Sequence, residues 1–108
     1  MSCVLINNAS VVKLYQVARQ QTVTLADGRI QSVSLTDAVS ARGADRVVDV
    51  GGNYLAPGFI DLHIHGLHGF RLDNGPDDLQ AICALLPRYG VKGFVPTLTA
   101  PVLSPTVT

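Results

Sequence analysis

Leu55-Ala-Pro-Gly-Phe-Ile-Asp-Leu-His-Ile-His-Gly66 is the stretch from which the rest of the chain is read. Asp61, His63 and His65 stand two residues apart, and Ile60, Leu62 and Ile64 fill the alternate positions. A strand sends successive side chains to opposite faces, so this spacing puts the three polar residues on one face and the aliphatics on the other. Cα atoms two apart on a strand lie roughly 6–7 Å from each other at about 3.3 Å rise per residue. Two imidazoles so spaced can lean toward one cation, each nitrogen about 2.0–2.1 Å from it if the cation is zinc. Pro57-Gly58 punctuates the start of the strand and Gly66 its end. The plainer alternative is an edge strand carrying two solvated histidines.

The 108 residues suffice for one small domain, yet 47% are hydrophobic and only 15% charged. Small domains expose much surface for their volume and need polar residues to cover it. So apolar a short chain reads as part of a larger core. Eight basic and eight acidic residues balance without a run of either sign. That leaves no electrostatic footprint for nucleic acid or an anionic membrane. The apolar start is interrupted by Asn7-Asn8 and lacks a basic n-region, a poor match to a signal peptide, and no apolar run is long enough for a membrane span. Cys3 and Cys83 form no metal-binding pair, and two buried, reduced thiols in a cytoplasmic protein are expected.

Before Pro57 the pattern is β. Cys3 to Ile6 is an apolar run expected to stop at Asn7-Asn8-Ala9-Ser10, with Val11, Val12 and Leu14 possible continuations and no clear period from Tyr15 to Gln21. Thr22–Ala26 and Arg29–Leu35 alternate around Asp27-Gly28, which predicts a hairpin whose type I′ turn needs positive φ at both central residues. A polar connector with a short helical turn is expected over 36–45, then a strand over Arg46–Val50 and a turn at Gly51-Gly52-Asn53. These strands are too short and too few to close a sandwich alone.

After Pro57 the grammar changes to α/β. The loop from Gly66 to Gly75 leads to Pro76, suited to a first helical turn, with Asp77 and Asp78 at the positive end of the helix dipole. Leu79, Ile82, Cys83 and Leu86 form one apolar stripe, Pro87 is expected to kink or end the helix, and Gly90 fits its C′ position. A second strand is expected over Val91–Thr99, although Pro96 cannot donate to a ladder. Strand, helix and strand make a βαβ unit with a parallel sheet. Ala100 to Thr108, with Pro101 and Pro105, reads as the start of a further connection.

Paired histidines at the head of a βα series suit a metal site at the C-terminal mouth of a barrel. Asp61 precedes His63 and is expected to support the mouth by hydrogen bonding rather than to bind metal. His68, in the Gly-rich loop, is a candidate for substrate contact or simply a solvated residue. Thr97 and Thr99 share a strand face and either reach the mouth or serve as ordinary strand residues. Asp73 and Asn74 are expected to prepare the helix start. Nucleophilic catalysis finds no support, because neither cysteine has a histidine or basic context and no G-x-S-x-G, P-loop or G-x-G-x-x-G is present.

Ala26-Asp-Gly-Arg-Ile30 and Val48-Asp-Val-Gly-Gly-Asn-Tyr-Leu-Ala-Pro-Gly-Phe-Ile-Asp-Leu-His-Ile-His65 together resemble the entry of the metal-dependent amidohydrolases. His65-Gly-Leu-His-Gly69 and Tyr89-Gly-Val-Lys-Gly-Phe-Val-Pro-Thr-Leu-Thr-Ala100 look most like the N-acetylglucosamine-6-phosphate deacetylases within that superfamily. The resemblance covers residues 46–101. It implies that residues 1–56 are part of a small β-sandwich domain and 57–108 the first βαβ unit of a (β/α)8 barrel, both incomplete here. It implies that His63 and His65 bind a divalent metal ion, zinc or iron, and that metal-activated water hydrolyses the acetamide of N-acetylglucosamine 6-phosphate. An H-x-E-G-P segment, two further histidines and a catalytic Asp are expected beyond residue 108, so the 108 residues alone are expected to be inactive. The whole enzyme would be a cytoplasmic homo-oligomer acting on an amino-sugar phosphate, with neither nucleic acid nor membrane as partner. The alternatives are a dihydroorotase- or hydantoinase-like amidohydrolase, or a non-catalytic remnant.

Overall fold

A computed structural model of the chain describes residues 2–99, in two compact units, Met1–Pro57 and Gly58–Thr108. The connection read over Ala100 to Thr108 lies outside the described residues.

The first unit is a mixed five-stranded sheet built around β1 (Cys3–Val12). β2 (Val17–Ala26) pairs antiparallel with β1 on one side, and β3 (Arg29–Leu35) pairs antiparallel with β2. Along the other edge of β1 run β4 (Arg46–Asp49) and β5 (Tyr54–Leu55), both parallel to it. The Asp27-Gly28 hairpin forms as expected, with φ of 52° and 76° at the two turn residues. Positive φ at both positions matches the turn to the strand twist, and Gly28 takes it without a Cβ penalty.

Two expectations for this unit are corrected. Asn7-Asn8 does not stop the first strand, and the stretch before Thr22 is strand from Val17. The β1–β2 register slips between Ile6 and Ala9 and slips back between Ala9 and Val11. Asn8 and Gln20 both sit at φ 54°, one on each strand. Each strand thus carries one extra residue, and the two irregularities cancel, returning Val11 opposite Ala18 in the original register. The interruption that looked like two stops is one long bulged ribbon.

Ala9, Val11 and Val23 form the buried centre, with Ile6, Leu25, Val50 and Leu55 packed on it. Thr22 is fully buried among them, its hydroxyl 2.8 Å from Asn7 Oδ1 and 3.0 Å from Thr36 Oγ1, so its polar atom is satisfied. Thr36 belongs to the short 3-10 turn Thr36–Ala38. Ile30, Val33 and Leu35 of β3 remain exposed.

The second unit is a β-α-β arrangement with a small hairpin inserted. β6 (Phe59–Ile64) and β9 (Val91–Pro96) pair in parallel, and α1 (Pro76–Leu85) lies between them in sequence. The segment read as a Gly-rich loop instead contains β7 (Gly66–Leu67) and β8 (Phe70–Arg71), paired antiparallel, then a 3-10 turn over Leu72–Asn74. His68 (φ 53°) and Gly69 (φ 83°) make its tight turn. Gly66 is required by close approach, since a Cβ there would run into the Phe70 carbonyl.

Ile64, Leu72, Ile82 and Leu86 form the core, with Leu67, Val91 and Phe94 against it. The helical stripe is therefore only half used. Ile82 and Leu86 are buried, whereas Leu79 is 38% exposed. Cys83 is exposed and Cys3 only half-buried, which corrects the expectation of two buried thiols. Cys83 borders an open cleft with Pro87, Val91 and Phe94. The Pro96 conflict resolves by position: it is the last residue of β9, and Thr97 N–H takes up the ladder with a 2.9 Å bond to the Ile64 carbonyl.

Candidate metal centre

β6 does not pair evenly. Asp61 lies opposite Phe94 and Ile64 opposite Pro96, so β6 has three steps where β9 has two. The extra residue falls over Leu62-His63, and a bulge there re-aims side chains that strict alternation would fix. Asp61 Oδ1 accepts the His63 backbone N–H at 3.0 Å, providing the bulged amide with a partner. Asp61 is thus a hydrogen-bonding neighbour of the histidine backbone.

His63 is exposed near the end of β6, and His65 sits in the bend just beyond it. Their rings meet edge to face, with centroids 4.7 Å apart and planes at 88°. Two nitrogens held by one tetrahedral zinc, at about 2.0–2.1 Å each, lie about 3.3 Å from each other. With centroids 4.7 Å apart, both rings lie within reach of one shared cation. The donors are imidazoles, which suit zinc, iron and other divalent transition ions. Among the described residues no group of three His, Cys, Asp or Glu converges as a metal-holding set. The pair fits part of a site; hydrolytic zinc uses three protein ligands and an open position.

The other sequence candidates separate. Thr97, just past β9, brings Oγ1 to 3.2 Å from His63 Nδ1. Thr99 turns elsewhere: its backbone N–H donates to Asp73 Oδ1 at 2.9 Å and its hydroxyl donates to Asp73 Oδ2. His68 sits in the β7–β8 turn with Nε2 2.5 Å from the Tyr89 hydroxyl, and the two rings are tilted at 30°. The structure brings together His63, His65, Asp61 and Thr97, and gives His68 and Thr99 separate partners.

Asp73 and Asn74 also divide. Asn74 Nδ2 donates to Asp78 Oδ2 at 2.9 Å, as a helix-start residue would. Asp73 instead ties the 3-10 turn to the segment after β9, and the Arg71 guanidinium lies 3.4 Å from it. Asp78 receives the Arg71 backbone N–H at 2.9 Å, and this bond, then the Asn74 amide, holds its carboxyl below the usual value near 3.8. Sequence reading missed Tyr89 and the Asp73–Thr99 tie. Both join residues more than twenty positions apart, and neither leaves a periodic signal.

No family model matches the chain. It is 43% identical over 61 residues to N-acetylglucosamine-6-phosphate deacetylase of Rattus norvegicus, covering 53% of this chain and 15% of that protein. It is 31% identical over 102 residues to dihydroorotase of Pediococcus pentosaceus, covering 94% of this chain and 22% of that one. Among solved structures, N-acetylglucosamine-6-phosphate deacetylase from Pasteurella multocida superposes with a TM-score of 0.73 at 21% identity, over 92% of this chain and 26% of that one. A variant of the Mycobacterium smegmatis deacetylase, in complex with N-acetyl-D-glucosamine-6-phosphate, gives 0.66 at 26% identity over 93% of this chain and 26% of that one. The chain spans about a quarter or less of the length of each relative. No helix among the described residues is long and apolar enough to cross a membrane.

Proposed function

We propose that this chain, which is similar to N-acetylglucosamine-6-phosphate deacetylases over part of their length, is a region of an amidohydrolase and carries two metal ligands of a hydrolase that deacetylates N-acetylglucosamine 6-phosphate. The observation that carries the reading is the edge-to-face meeting of His63 and His65 at the C-terminal end of β6. In a (β/α)8 barrel that end is the catalytic mouth. Under this reading β6, α1 and β9 are the first βαβ unit of the barrel and the first unit is part of a β-sandwich.

His63 and His65 present ring nitrogens to a divalent cation, zinc or iron. When bound, the cation supplies carbonyl polarisation and activation of water near neutral pH. Asp61 holds the backbone of His63, and Thr97 lies against its ring. His68 and Thr99 are engaged with Tyr89 and Asp73, so of the three candidates only Thr97 stands beside the histidine pair. No residue of the 108 is assigned the proton transfer, which falls to an Asp outside them. The unpaired thiols of Cys3 and Cys83 support a cytoplasmic setting, and the whole enzyme is read as a homo-oligomer with neither nucleic acid nor membrane as partner.

A dihydroorotase-like activity is the second reading, favoured by a match over 94% of the chain. The His65-Gly-Leu-His-Gly69 loop and the Pro96-Thr97 strand end favour the deacetylase.

Acetate release from N-acetylglucosamine 6-phosphate tests the proposal, using the polypeptide encoded when the reading frame is followed past Thr108. Metal-dependent release, with no turnover of dihydroorotate, is expected if the frame continues into H-x-E-G-P. A stop codon directly after Thr108 would instead make the chain a non-catalytic remnant. The 108-residue chain is expected to bind zinc by calorimetry, to lose that binding in H63A and H65A, and to release no acetate.

A further inference from the structure

We propose that Thr97 is a positioning residue that keeps the proton of neutral His63 on Nδ1 and so turns the Nε2 lone pair toward the metal position. The inference rests on the reading of His63 and His65 as metal ligands. Thr97 is well placed to do this because its backbone is anchored: its N–H donates to the Ile64 carbonyl at 2.9 Å, directly after β9. Its hydroxyl then has two neighbours, His63 Nδ1 at 3.2 Å and the Val95 carbonyl at 3.4 Å.

A threonine hydroxyl carries one hydrogen and two lone pairs. A carbonyl oxygen can only accept, so the arrangement that satisfies both neighbours is a single one. The hydroxyl hydrogen goes to Val95, and a lone pair of Oγ1 accepts Nδ1–H of His63. The reverse arrangement, with the hydroxyl donating to Nδ1, gives up the Val95 bond and puts the imidazole proton on Nε2. That tautomer has no lone pair left for a cation. The bond that one ring nitrogen makes decides what the other can ligate. The perpendicular ring of His65 meets His63 edge to face, with centroids 4.7 Å apart.

The test uses the 108-residue chain labelled with 15N at histidine, at a pH where both imidazoles are neutral, in solution or as a sedimented sample. T97V removes the acceptor at nearly constant volume, and T97S keeps it. Nδ1–H is expected for His63 in the parent and in T97S, with a shift toward Nε2–H in T97V. Cobalt titration followed at the same signals is expected to show about tenfold weaker binding in T97V, the scale of a lost outer-sphere partner, with T97S near the parent. An Nε2–H tautomer in the parent, or a T97V spectrum unchanged from it, overturns the proposal. Absence of any cobalt effect at His63 and His65, with the tautomer dependence intact, overturns the metal reading while supporting the Thr97–His63 arrangement.

Discussion

The Asp61 carboxylate accepts the backbone N–H of His63 at 3.0 Å, across the step where β6 gains one residue on β9. A bulge takes an amide out of the ladder, and an amide with no partner is costly. Asp61 therefore stabilises the irregularity that aims the histidine.

That relationship predicts a local effect. D61A should leave the fold intact and speed hydrogen exchange at the His63 amide, with a loss of about 0.5–1.5 kcal/mol, the usual net worth of one hydrogen bond. D61N keeps an acceptor oxygen and should fall between the two. Amide exchange by NMR reads both. An unchanged His63 amide in D61A would show that the carboxylate does not hold the bulge.

How much of this was legible depends on the range of the interaction. Asp27-Gly28 specified its hairpin because turn chemistry is local, and Pro76 and Pro87 marked the helix ends for the same reason. The parallel docking of β4 and β5 along β1 joins segments about forty residues apart, and no local pattern encodes it. The paired bulges at Asn8 and Gln20 looked like two breaks because each reads as an interruption until its partner is known. The His68-Gly69 turn was missed because the strands on either side of it are two residues each, too short to show an alternating pattern. At the site, the H-x-H spacing foretold neighbouring rings. Thr97 against Nδ1 needed the pairing of β6 with β9.

The half-covered helix gives a contrast between two leucine-class positions of one stripe. Ile82 is fully buried in the cluster with Ile64, Leu72 and Leu86, whereas Leu79 remains partly open to solvent. I82A should cost roughly 2–5 kcal/mol, the range for emptying a core aliphatic site. L79A should cost well under half of that. Urea midpoints of the two variants check the order. Equal losses would mean that the stripe is covered along its whole length.

Asp78 predicts the direction of an acid effect. Its carboxyl titrates below 3.8 in the folded chain because Arg71 N–H and the Asn74 amide favour the charged form. The contribution is complete above the unfolded value near 3.8 and is lost as pH falls through the lower folded value. Stability measured over about pH 5 to pH 2.5 should therefore decline more steeply in the parent than in D78N, which cannot ionise. Parallel curves would remove Asp78 from the acid sensitivity of the second unit.

The strands of the second unit predict how the isolated chain behaves at working concentration. Phe59 is 70% and Leu62 74% exposed, and Ile60 beside them is also open to solvent. β6 and β9 pair only with each other among the described residues, which leaves an unpaired edge on each. Apolar surface next to a free strand edge is a template for association, and Lys92 is the one charged residue on β9 to oppose it. The 108-residue chain should sediment as oligomers at micromolar concentration. Placing charge on this surface with L62K should shift it toward monomer, without loss of the Ile82 core. Sedimentation velocity separates the outcomes, and a monomeric parent with a sharp cooperative thermal transition would show that these faces do not drive self-association.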